Sequence, residues 1–178
     1  MAEAPAGGGD GVPDLTSPRR IHVVGVGGTG MSAIATVLAA MGHRVSGSDL
    51  KRSPSVERLA AVGVTTSIGH HPSHVGQAEL VTASTAVPAD NVELQEASRR
   101  GVPVLRRAQM LAGICATRRT FAVAGTHGKT TTSSMLALVL AEAGLRPSFV
   151  IGGDINDVGA GGSWDPAGEW MVVEADES

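Results

Sequence analysis

Residues 121–132 read FAVAGTHGKTTT, an apolar run that breaks into a glycine-rich loop and is followed by a stretch, 133–143, that favours a helix. A loop of this kind between a strand and a helix directs consecutive backbone N–H groups at phosphate oxygens. Lys129 is placed to reach the β- and γ-phosphates, and the Thr130 hydroxyl to bind Mg²⁺. The strict pattern has a glycine where this chain has Val123. A strand, turn and helix that merely needs glycines is the alternative, but the segment predicts an α/β unit that binds a nucleoside triphosphate.

The composition indicates an aliphatic core. Of the 178 residues, 42% are hydrophobic but only 2% are aromatic, as in the buried strands of parallel sheets. The net charge of −3 and the lack of a basic stripe argue against nucleic acid as a partner. The lone Cys115 excludes an internal disulfide, and no apolar run approaches the roughly 20 residues of a membrane span. We therefore expect a cytoplasmic protein with no membrane partner.

Apolar runs alternate with helix-forming stretches along the chain. The predicted strands are 21–26, 44–49, 64–68, 80–84, 102–105, 120–124, 148–151 and 170–175. The predicted helices are 29–41, 55–61, 92–99, 106–116 and 133–143. This alternation predicts parallel sheets with helices on both faces.

The predicted elements fall into two units. Residues 1–18, rich in Ala, Gly and Pro, are expected to form a disordered tail, and residues 19–107 a Rossmann-like domain. Residues 108–178 are expected to begin a P-loop α/β ATPase domain. A parallel sheet with only three strands would leave one face and one edge poorly covered, so we expect this second domain to be incomplete.

A second glycine-rich loop, Gly25-Val26-Gly27-Gly28-Thr29-Gly30, lies between the first predicted strand and the first predicted helix. It satisfies the G-x-G-x-x-G pattern, and Asp49 follows 19 residues past Gly30, where a carboxylate that binds a ribose is expected. The start of the helix, residues 29–32, offers N–H groups to a pyrophosphate. The pattern fits a dinucleotide and a nucleotide-sugar equally well, and a glycine turn without a ligand is the structural alternative.

Carboxylates follow the last predicted strand. Glu174, Asp176 and Glu177 come after an apolar run. A carboxylate at the end of a parallel strand beside a phosphate loop can complete a Mg²⁺ shell with Thr130. Glu174 is the first candidate, whereas Asp176 and Glu177 are explained equally well as a solvated terminus.

Histidines cluster after the third predicted strand. His70 and His74 have a spacing seen in metal sites, but Pro72 interrupts the helix which that spacing needs. A loop that contacts substrate is therefore favoured over zinc, and His70, directly after the strand end, is the candidate ligand. The two arginines at 106–107 lie at the junction of the units, where they could steer phosphates or be ordinary surface residues.

Together these segments resemble the Mur ligase family of peptidoglycan synthesis. The segments that carry the resemblance are 25–32 (GVGGTGMS), 46–49 (SGSD), 88–91 (PADN), 106–111 (RRAQML), 125–132 (GTHGKTTT) and 174–178 (EADES). They follow one another in the order of the family from about residue 19 to residue 178, which makes the resemblance specific. Gln109, where the family usually has an acidic residue, and the short loop 154–164 depart from the pattern.

The resemblance implies a three-domain enzyme, of which this chain holds the first domain, for a UDP-sugar, and the start of the second, for ATP. The implied reaction is phosphorylation of the carboxylate of UDP-N-acetylmuramate by ATP, followed by attack of the L-alanine amine on the acyl phosphate. Lys129 would stabilise charge on the transferring phosphoryl group, and Thr130 and Glu174 would hold Mg²⁺. The implied ATP contacts are Gly125, Thr126, His127, Gly128, Lys129, Thr130 and Thr131. The implied UDP-sugar contacts are Gly25, Gly27, Gly28, Thr29, Gly30, Met31, Ser32, Asp49 and His70.

Three other functions stay open. The family ligase that recycles murein tripeptide shares the GTHGKT loop, but is expected to interrupt the first glycine motif and to have tyrosine in place of Ser178. A nicotinamide-dependent oxidoreductase would use the first glycine loop and leave residues 125–130 without a role. A nucleotide-binding regulatory module would need no turnover. For the isolated chain we expect ligand binding without turnover.

Overall fold

The computed structural model describes residues 11–152 and 161–175, and within these ranges the chain forms two sheets. The first sheet has five parallel strands in the order β3-β2-β1-β4-β5. Its strands are β1 (Arg20–Val24), β2 (Arg44–Asp49), β3 (Thr65–Ile68), β4 (Leu80–Ala83) and β5 (Val104–Arg106). Its helices are α1 (Thr29–Ala40), α2 (Pro54–Ala61), α3 (Val92–Arg99) and a short 3₁₀ helix, Pro72–Val75. The Rossmann-like parallel sheet predicted from the sequence is confirmed.

The second sheet is mostly parallel. Within the described residues its order is β6-β9-β7-β8, and only the β7–β8 pair is antiparallel. Its strands are β6 (Arg119–Val123), β7 (Ser148–Val150), β8 (Gly162–Ser163) and β9 (Trp170–Glu174). Helix α4 (Arg107–Cys115) joins the two sheets, and α5 (Lys129–Glu142) follows the phosphate loop. The sequence did not predict β8, because two residues in a glycine-rich stretch give no strand signal.

The strands and helices follow from local features of the sequence. Strand β1 reads RIHVV and is buried over its last four residues. Ser53 caps α2 through its side chain, with Pro54 in the first turn, and Asn91 caps α3 in the same way. Gly47 lets β2 approach the first glycine loop, since a Cβ there would lie 2.8 Å from the Val26 Cβ.

One hydrophobic core joins the two sheets. Helix α1 is apolar on several faces and packs against α2 and α4 as well as against β7 and β8. The shared cluster therefore contains α1 residues such as Ile34 together with Val150 of β7 and Met171 of β9. At the contact with β8, a Cβ on Gly162 would lie 2.5 Å from the Ala33 carbonyl oxygen. The packing fixes the end of α1 that carries the first glycine loop relative to the second sheet.

The predicted disordered tail is too long at its C-terminal end. Leu15 is buried in the shared core, and Pro13 packs so closely on α4 that a Cβ on Gly113 would lie 2.6 Å from the proline Cγ. A proline- and glycine-rich composition masked this one anchoring leucine. Residues 1–10 of the predicted tail lie outside the described residues.

The second unit exposes apolar side chains. Strand β6 is an edge of its sheet, where Phe121 is exposed and stacks on Trp170 with ring centroids 5.0 Å apart. Large apolar side chains are also exposed on α5 and in the turn after it, and these are Met135, Leu138, Val139 and Leu145. No helix in residues 11–152 or 161–175 is long and apolar enough to span a membrane.

Candidate functional site

The phosphate loop predicted at 125–130 lies between β6 and α5. Gly125 and Gly128 have positive φ angles of 149° and 77°, so the turn requires glycine at both positions. Helix α5 begins at Lys129, four residues before the predicted start at Ser133, and the residue before it, Gly128, makes no side-chain cap. The N–H groups of this first turn are thus oriented for an anion. The Lys129 ammonium donates to the Gly125 carbonyl oxygen at 2.6 Å and folds back over the loop.

Glu174 ends β9 beside the start of the phosphate loop. In the β6–β9 pairing it is the register partner of Val123, the last residue of β6. Its side chain is only 8% exposed, and its Oε2 accepts the Gly152 N–H at 3.0 Å. Its Oε1 is buried and has no hydrogen-bond partner in the part of the chain that the structure describes. Because an unpaired buried carboxylate oxygen is unfavourable, this donor set fits a hard cation such as Mg²⁺.

The other residues of the predicted metal site are either exposed or outside the described residues. Thr130 lies in the first turn of α5 and is exposed. Asp176 and Glu177, the alternative carboxylates, lie outside the described residues. No group of three or more His, Cys, Asp or Glu side chains within 11–152 and 161–175 is arranged as a metal site.

The first glycine loop is held by β2. The N–H groups of Gly25 and Val26 donate to the Ser48 carbonyl oxygen at 2.8 and 3.0 Å. The Gly27 N–H donates to Asp49 Oδ2 at 2.8 Å, and a Cβ on Gly27 would meet that oxygen at the same distance. Asp49, predicted to bind a ribose, therefore first binds the backbone of the loop. Each carboxylate oxygen keeps a further lone pair, so the contact with a ribose stays a prediction.

The residues after the glycine loop form the N-terminus of α1. Gly28 caps α1 with an extended backbone and no side-chain hydrogen bond, which leaves N–H groups of the first turn for a ligand. Met31 is a predicted substrate residue, but its side chain is 3% exposed and belongs to the core, so only its backbone is available. The Ser32 hydroxyl donates to the Thr29 carbonyl oxygen at 2.9 Å.

A cleft of about 300 Å³ joins the two halves of the site. It is lined by the start of α1, the loop after β4, the start of α4, the segment after β7 and the end of β9, namely Gly28, Thr29, Gly30, Met31, Ser84, Thr85, Arg107, Gly152 and Glu174. The structure thus brings the predicted UDP-sugar loop and the predicted metal carboxylate together. Sequence reasoning missed Ser84 and Thr85, although Ser84 ends a predicted strand and Thr85 follows it.

Arg107 supplies positive charge to this cleft. Its guanidinium lies so close to the first glycine loop that a Cβ on Gly30 would be 2.9 Å from Nε and from Nη2. The interpretation of Arg107 as a phosphate-steering residue gains support from this position, because a guanidinium beside a helix N-terminus favours a bound anion. Arg106, by contrast, is exposed at the end of β5.

His70 lies at the carboxyl end of the first sheet, one residue after Gly69. Its Nδ1 is 3.1 Å from the Ser48 hydroxyl and 3.3 Å from Glu93 Oε2. Glu93 is fully buried, which by itself would raise the pKa of its carboxyl group. Hydrogen bonds outweigh this effect and lower the pKa from 4.5 to about 2, and they come from His22, Ser48, the His71 N–H and His74.

Comparison with known proteins identifies the family. A model described as Mur ligase family, catalytic domain, matches residues 20–119, more than half of the chain. The chain is 49% identical over 164 residues to the UDP-N-acetylmuramate–L-alanine ligase of Pelotomaculum thermopropionicum, with 92% of this chain and 35% of that protein covered. It is 54% identical over 159 residues to the enzyme of the same name from Rubrobacter xylanophilus, with 89% and 35% covered.

Two solved structures share the fold over most of the chain. The UDP-N-acetylmuramate:L-alanyl-γ-D-glutamyl-meso-diaminopimelate ligase of Neisseria meningitides has a TM-score of 0.81 and 32% identity, over 90% of this chain and 53% of that one. The UDP-N-acetylmuramate–alanine ligase of Thermotoga maritima has a TM-score of 0.80 and 29% identity, over 88% and 37%. The chain spans about a third of the length of the curated relatives. From the matched family model and the position of both glycine loops, this chain belongs to the Mur ligase family.

Proposed function

We propose that this chain carries the UDP-sugar site and the start of the ATP site of a ligase that joins L-alanine to UDP-N-acetylmuramate. The observation that carries the proposal is the cleft in which the first glycine loop faces Glu174. Glu174 in turn pairs in register with the strand that leads into the phosphate loop. The division into a UDP-sugar domain, 19–107, and the beginning of an ATP domain, 108–178, is part of this proposal. Because the reaction consumes ATP, we also propose a cytoplasmic location.

In this proposal the first loop binds the diphosphate of the UDP-sugar. The backbone N–H groups of Thr29, Gly30 and Met31 at the start of α1 would donate to its oxygens, and Arg107 would balance its charge. Asp49 holds Gly27 in place and lies next to the ribose position expected for this fold. His70 is a contact at the neighbouring strand end.

The second loop would bind ATP through the backbone of residues 125–131. Lys129 would leave the Gly125 carbonyl oxygen and bind the transferring phosphoryl group, whose developing charge it stabilises. Glu174 Oε1 and the Thr130 hydroxyl would hold Mg²⁺, which, when bound, neutralises phosphate charge and orients the phosphates.

The proposed chemistry follows from the cleft between the first glycine loop and Glu174. The muramoyl carboxylate oxygen would attack the γ-phosphorus of ATP and form an acyl phosphate while ADP leaves. The amine of L-alanine would then attack the acyl carbon, form the amide and release phosphate. Names of relatives near 50% identity support L-alanine as the amine.

One competing function has an observation in its favour. The solved structure with a TM-score of 0.81 is a ligase for a murein tripeptide, and it acts on the same UDP-sugar. Its identity of 32% is well below the 49 and 54% found for two alanine ligases, whereas the alanine ligase of Thermotoga maritima is 29% identical. An oxidoreductase would leave the loop at 125–130 and Glu174 without a role. A regulatory module would use both loops but has no observation of its own in its favour.

Calorimetry tests the proposal directly. We expect the chain to bind UDP-N-acetylmuramate and not NADH, and to bind ATP more tightly with Mg²⁺ than without it. Lys129→Met should weaken the binding of ATP and leave the binding of the UDP-sugar unchanged. Binding of NADH without a signal from the UDP-sugar would refute the assignment.

A further inference from the structure

Glu93 is a buried carboxylate that the proposed function does not use. It lies in the first turn of α3, and its side chain is 0% exposed. Its hydrogen-bond partners come from β1, β2 and the segment after β3, and these are His22, Ser48, His70, the His71 N–H and His74. A carboxylate with this many donors stays ionised at neutral pH, and all its partners must direct hydrogens at it.

The partners of Glu93 fix where the protons lie on His70. Because an ionised carboxylate only accepts, the Ser48 hydroxyl donates to Glu93 Oε2. The Ser48 oxygen, 3.1 Å from His70 Nδ1, is then left as an acceptor. The second neighbour of Nδ1 is Glu93 Oε2 itself, at 3.3 Å. With acceptors on both sides, Nδ1 carries the proton and Nε2 of the neutral ring is an acceptor.

The backbone places this ring at the edge of the first nucleotide site. Ile68 is the register partner of Asp49, and the Gly69 N–H donates to the Asp49 carbonyl oxygen at 2.8 Å. Gly69 has a φ of +84°, which turns the chain so that His70 returns to Ser48 on the neighbouring strand. The His70 side chain is 14% exposed, so it retains some accessible surface. It lies beside Asp49, on the side of the sheet edge where a ribose and base are expected.

We propose that Glu93 is a positioning residue which, through Ser48, holds His70 in the Nδ1–H tautomer, so that Nε2 accepts a hydrogen bond from a neutral donor of the nucleoside. That donor is a ribose hydroxyl or the N–H of the base. A phosphate oxygen is excluded as the partner of the neutral ring, because both atoms would be acceptors. The inference rests on the proposed UDP-sugar site for its ligand, but the tautomer itself does not depend on any ligand.

The Glu93→Gln variant tests the predicted tautomer of His70. The His71 N–H can only donate, so it fixes the amide oxygen of the glutamine on its own side. The amide NH₂ then replaces Oε2, faces His22 as well as Ser48 and His70, and supplies donors where the carboxylate supplied an acceptor. His70 should respond by moving its proton from Nδ1 to Nε2.

The first measurement is the ¹⁵N–¹H correlation spectrum of the imidazole rings at about pH 8, with His70→Ala to identify the signals of this ring. The natural chain should show a protonated Nδ1, and Glu93→Gln a protonated Nε2. Glu96→Gln is the matched control, because Glu96 lies on the same helix and pairs with Arg99 at the surface. A protonated Nε2 in the natural chain overturns the proposal, and this measurement needs no foldable Glu93 variant.

The second measurement is the affinity for UDP. Glu93→Gln and His70→Ala should each weaken the binding of UDP about tenfold. The double variant should lose no more affinity than either single variant. Analogues that lack the 2′-hydroxyl, lack the 3′-hydroxyl or carry N3-methyluracil identify the donor. One of these analogues should bind the natural chain about tenfold more weakly than UDP does, and should bind His70→Ala as tightly as UDP does. If each of the three analogues loses the same affinity relative to UDP in both proteins, the proposal is overturned.

The outcomes separate this inference from the proposed function. If the natural chain does not bind UDP, the proposed function fails and the nucleoside contact fails with it, whatever the tautomer. If the natural chain binds UDP and Glu93→Gln binds it equally well, only the positioning role fails.

Discussion

Acidification should remove a defined part of the stability of this protein, because Glu93 has a much lower pKa when folded. The pKa falls from 4.5 to about 2 through the hydrogen bonds to the buried carboxylate, and burial opposes this fall. At about 1.4 kcal/mol for each pH unit, the difference corresponds to about 3 kcal/mol of folding free energy. Since the folded pKa is the lower one, the unfolded chain takes up the proton first. The contribution is complete above about pH 4.5 and is lost as the pH falls to about 2.

Urea denaturation followed by far-UV circular dichroism measures this contribution when the natural chain is compared with Glu93→Gln. At pH 5 the natural chain should be more stable by about 3 kcal/mol, and the gap should close between pH 4.5 and pH 2. Taking the difference cancels the other acids with lowered pKa values, among them Asp14, Glu79 and Asp165. Glu96→Gln should show a much smaller gap, because the pKa of Glu96 is lowered mainly by its hydrogen bonds to Arg99, in an ion pair that solvent screens. A gap that stays constant from pH 5 to pH 2 would show that the hydrogen bonds do not act through the charge of Glu93.

Three further predictions concern the cleft and the contact of the two sheets. Glu174→Gln should abolish the gain in ATP affinity that Mg²⁺ provides, measured by calorimetry with and without the metal, because the amide loses the charge that holds a cation. Lys129→Met should weaken ATP about tenfold in the same assay without a change in thermal midpoint, since its hydrogen bond is to its own loop. Gly162→Ala should lower the free energy of unfolding by about 1–3 kcal/mol, because its Cβ would lie 2.5 Å from the Ala33 carbonyl oxygen. Gly11→Ala, with nothing within 4 Å, is the control, and equal stability of the two variants would contradict the packing argument.

The sequence predicted elements whose signals are local. Strands β1 and β9 are apolar runs, and helix α3 is recovered from Val92 to Arg99 because it has a capping asparagine and a polar outer face. The turn at 125–130 was predicted from its glycines, and the positive φ angles of Gly125 and Gly128 are the physical reason for them. The start of α5 was placed four residues late, because the Lys-Thr-Thr-Thr run has a weak helix preference. The first turn of α5 is nevertheless formed by those residues.

Residues with tertiary roles were not predictable in this way. Glu93 stands in the polar stretch VELQEASRR, where it has the appearance of one more surface acid of an amphipathic helix. Its partners lie on three other segments, and one of them, His22, is 71 residues away in the chain. Asp49 was predicted from spacing, but its bond to the Gly27 N–H depends on how closely β2 and the loop approach. Such contacts follow from the three-dimensional packing, and the local sequence pattern does not indicate them.

Under the proposed function, the shared core would hold the two loops in position to act on one pair of reactants. An acyl phosphate forms only if a carboxylate oxygen and the γ-phosphorus are held within about 3–3.5 Å in the correct direction. The first loop sits on the N-terminus of α1, and the side of α1 packs on β7 and β8, whose sheet also carries Glu174. Aliphatic packing around Ile34, Val150 and Met171 therefore sets the distance across the cleft. The same burial that stabilises the chain also orients its proposed substrates, so a cavity in this core should reduce coupling between the two ligands before it abolishes the binding of either.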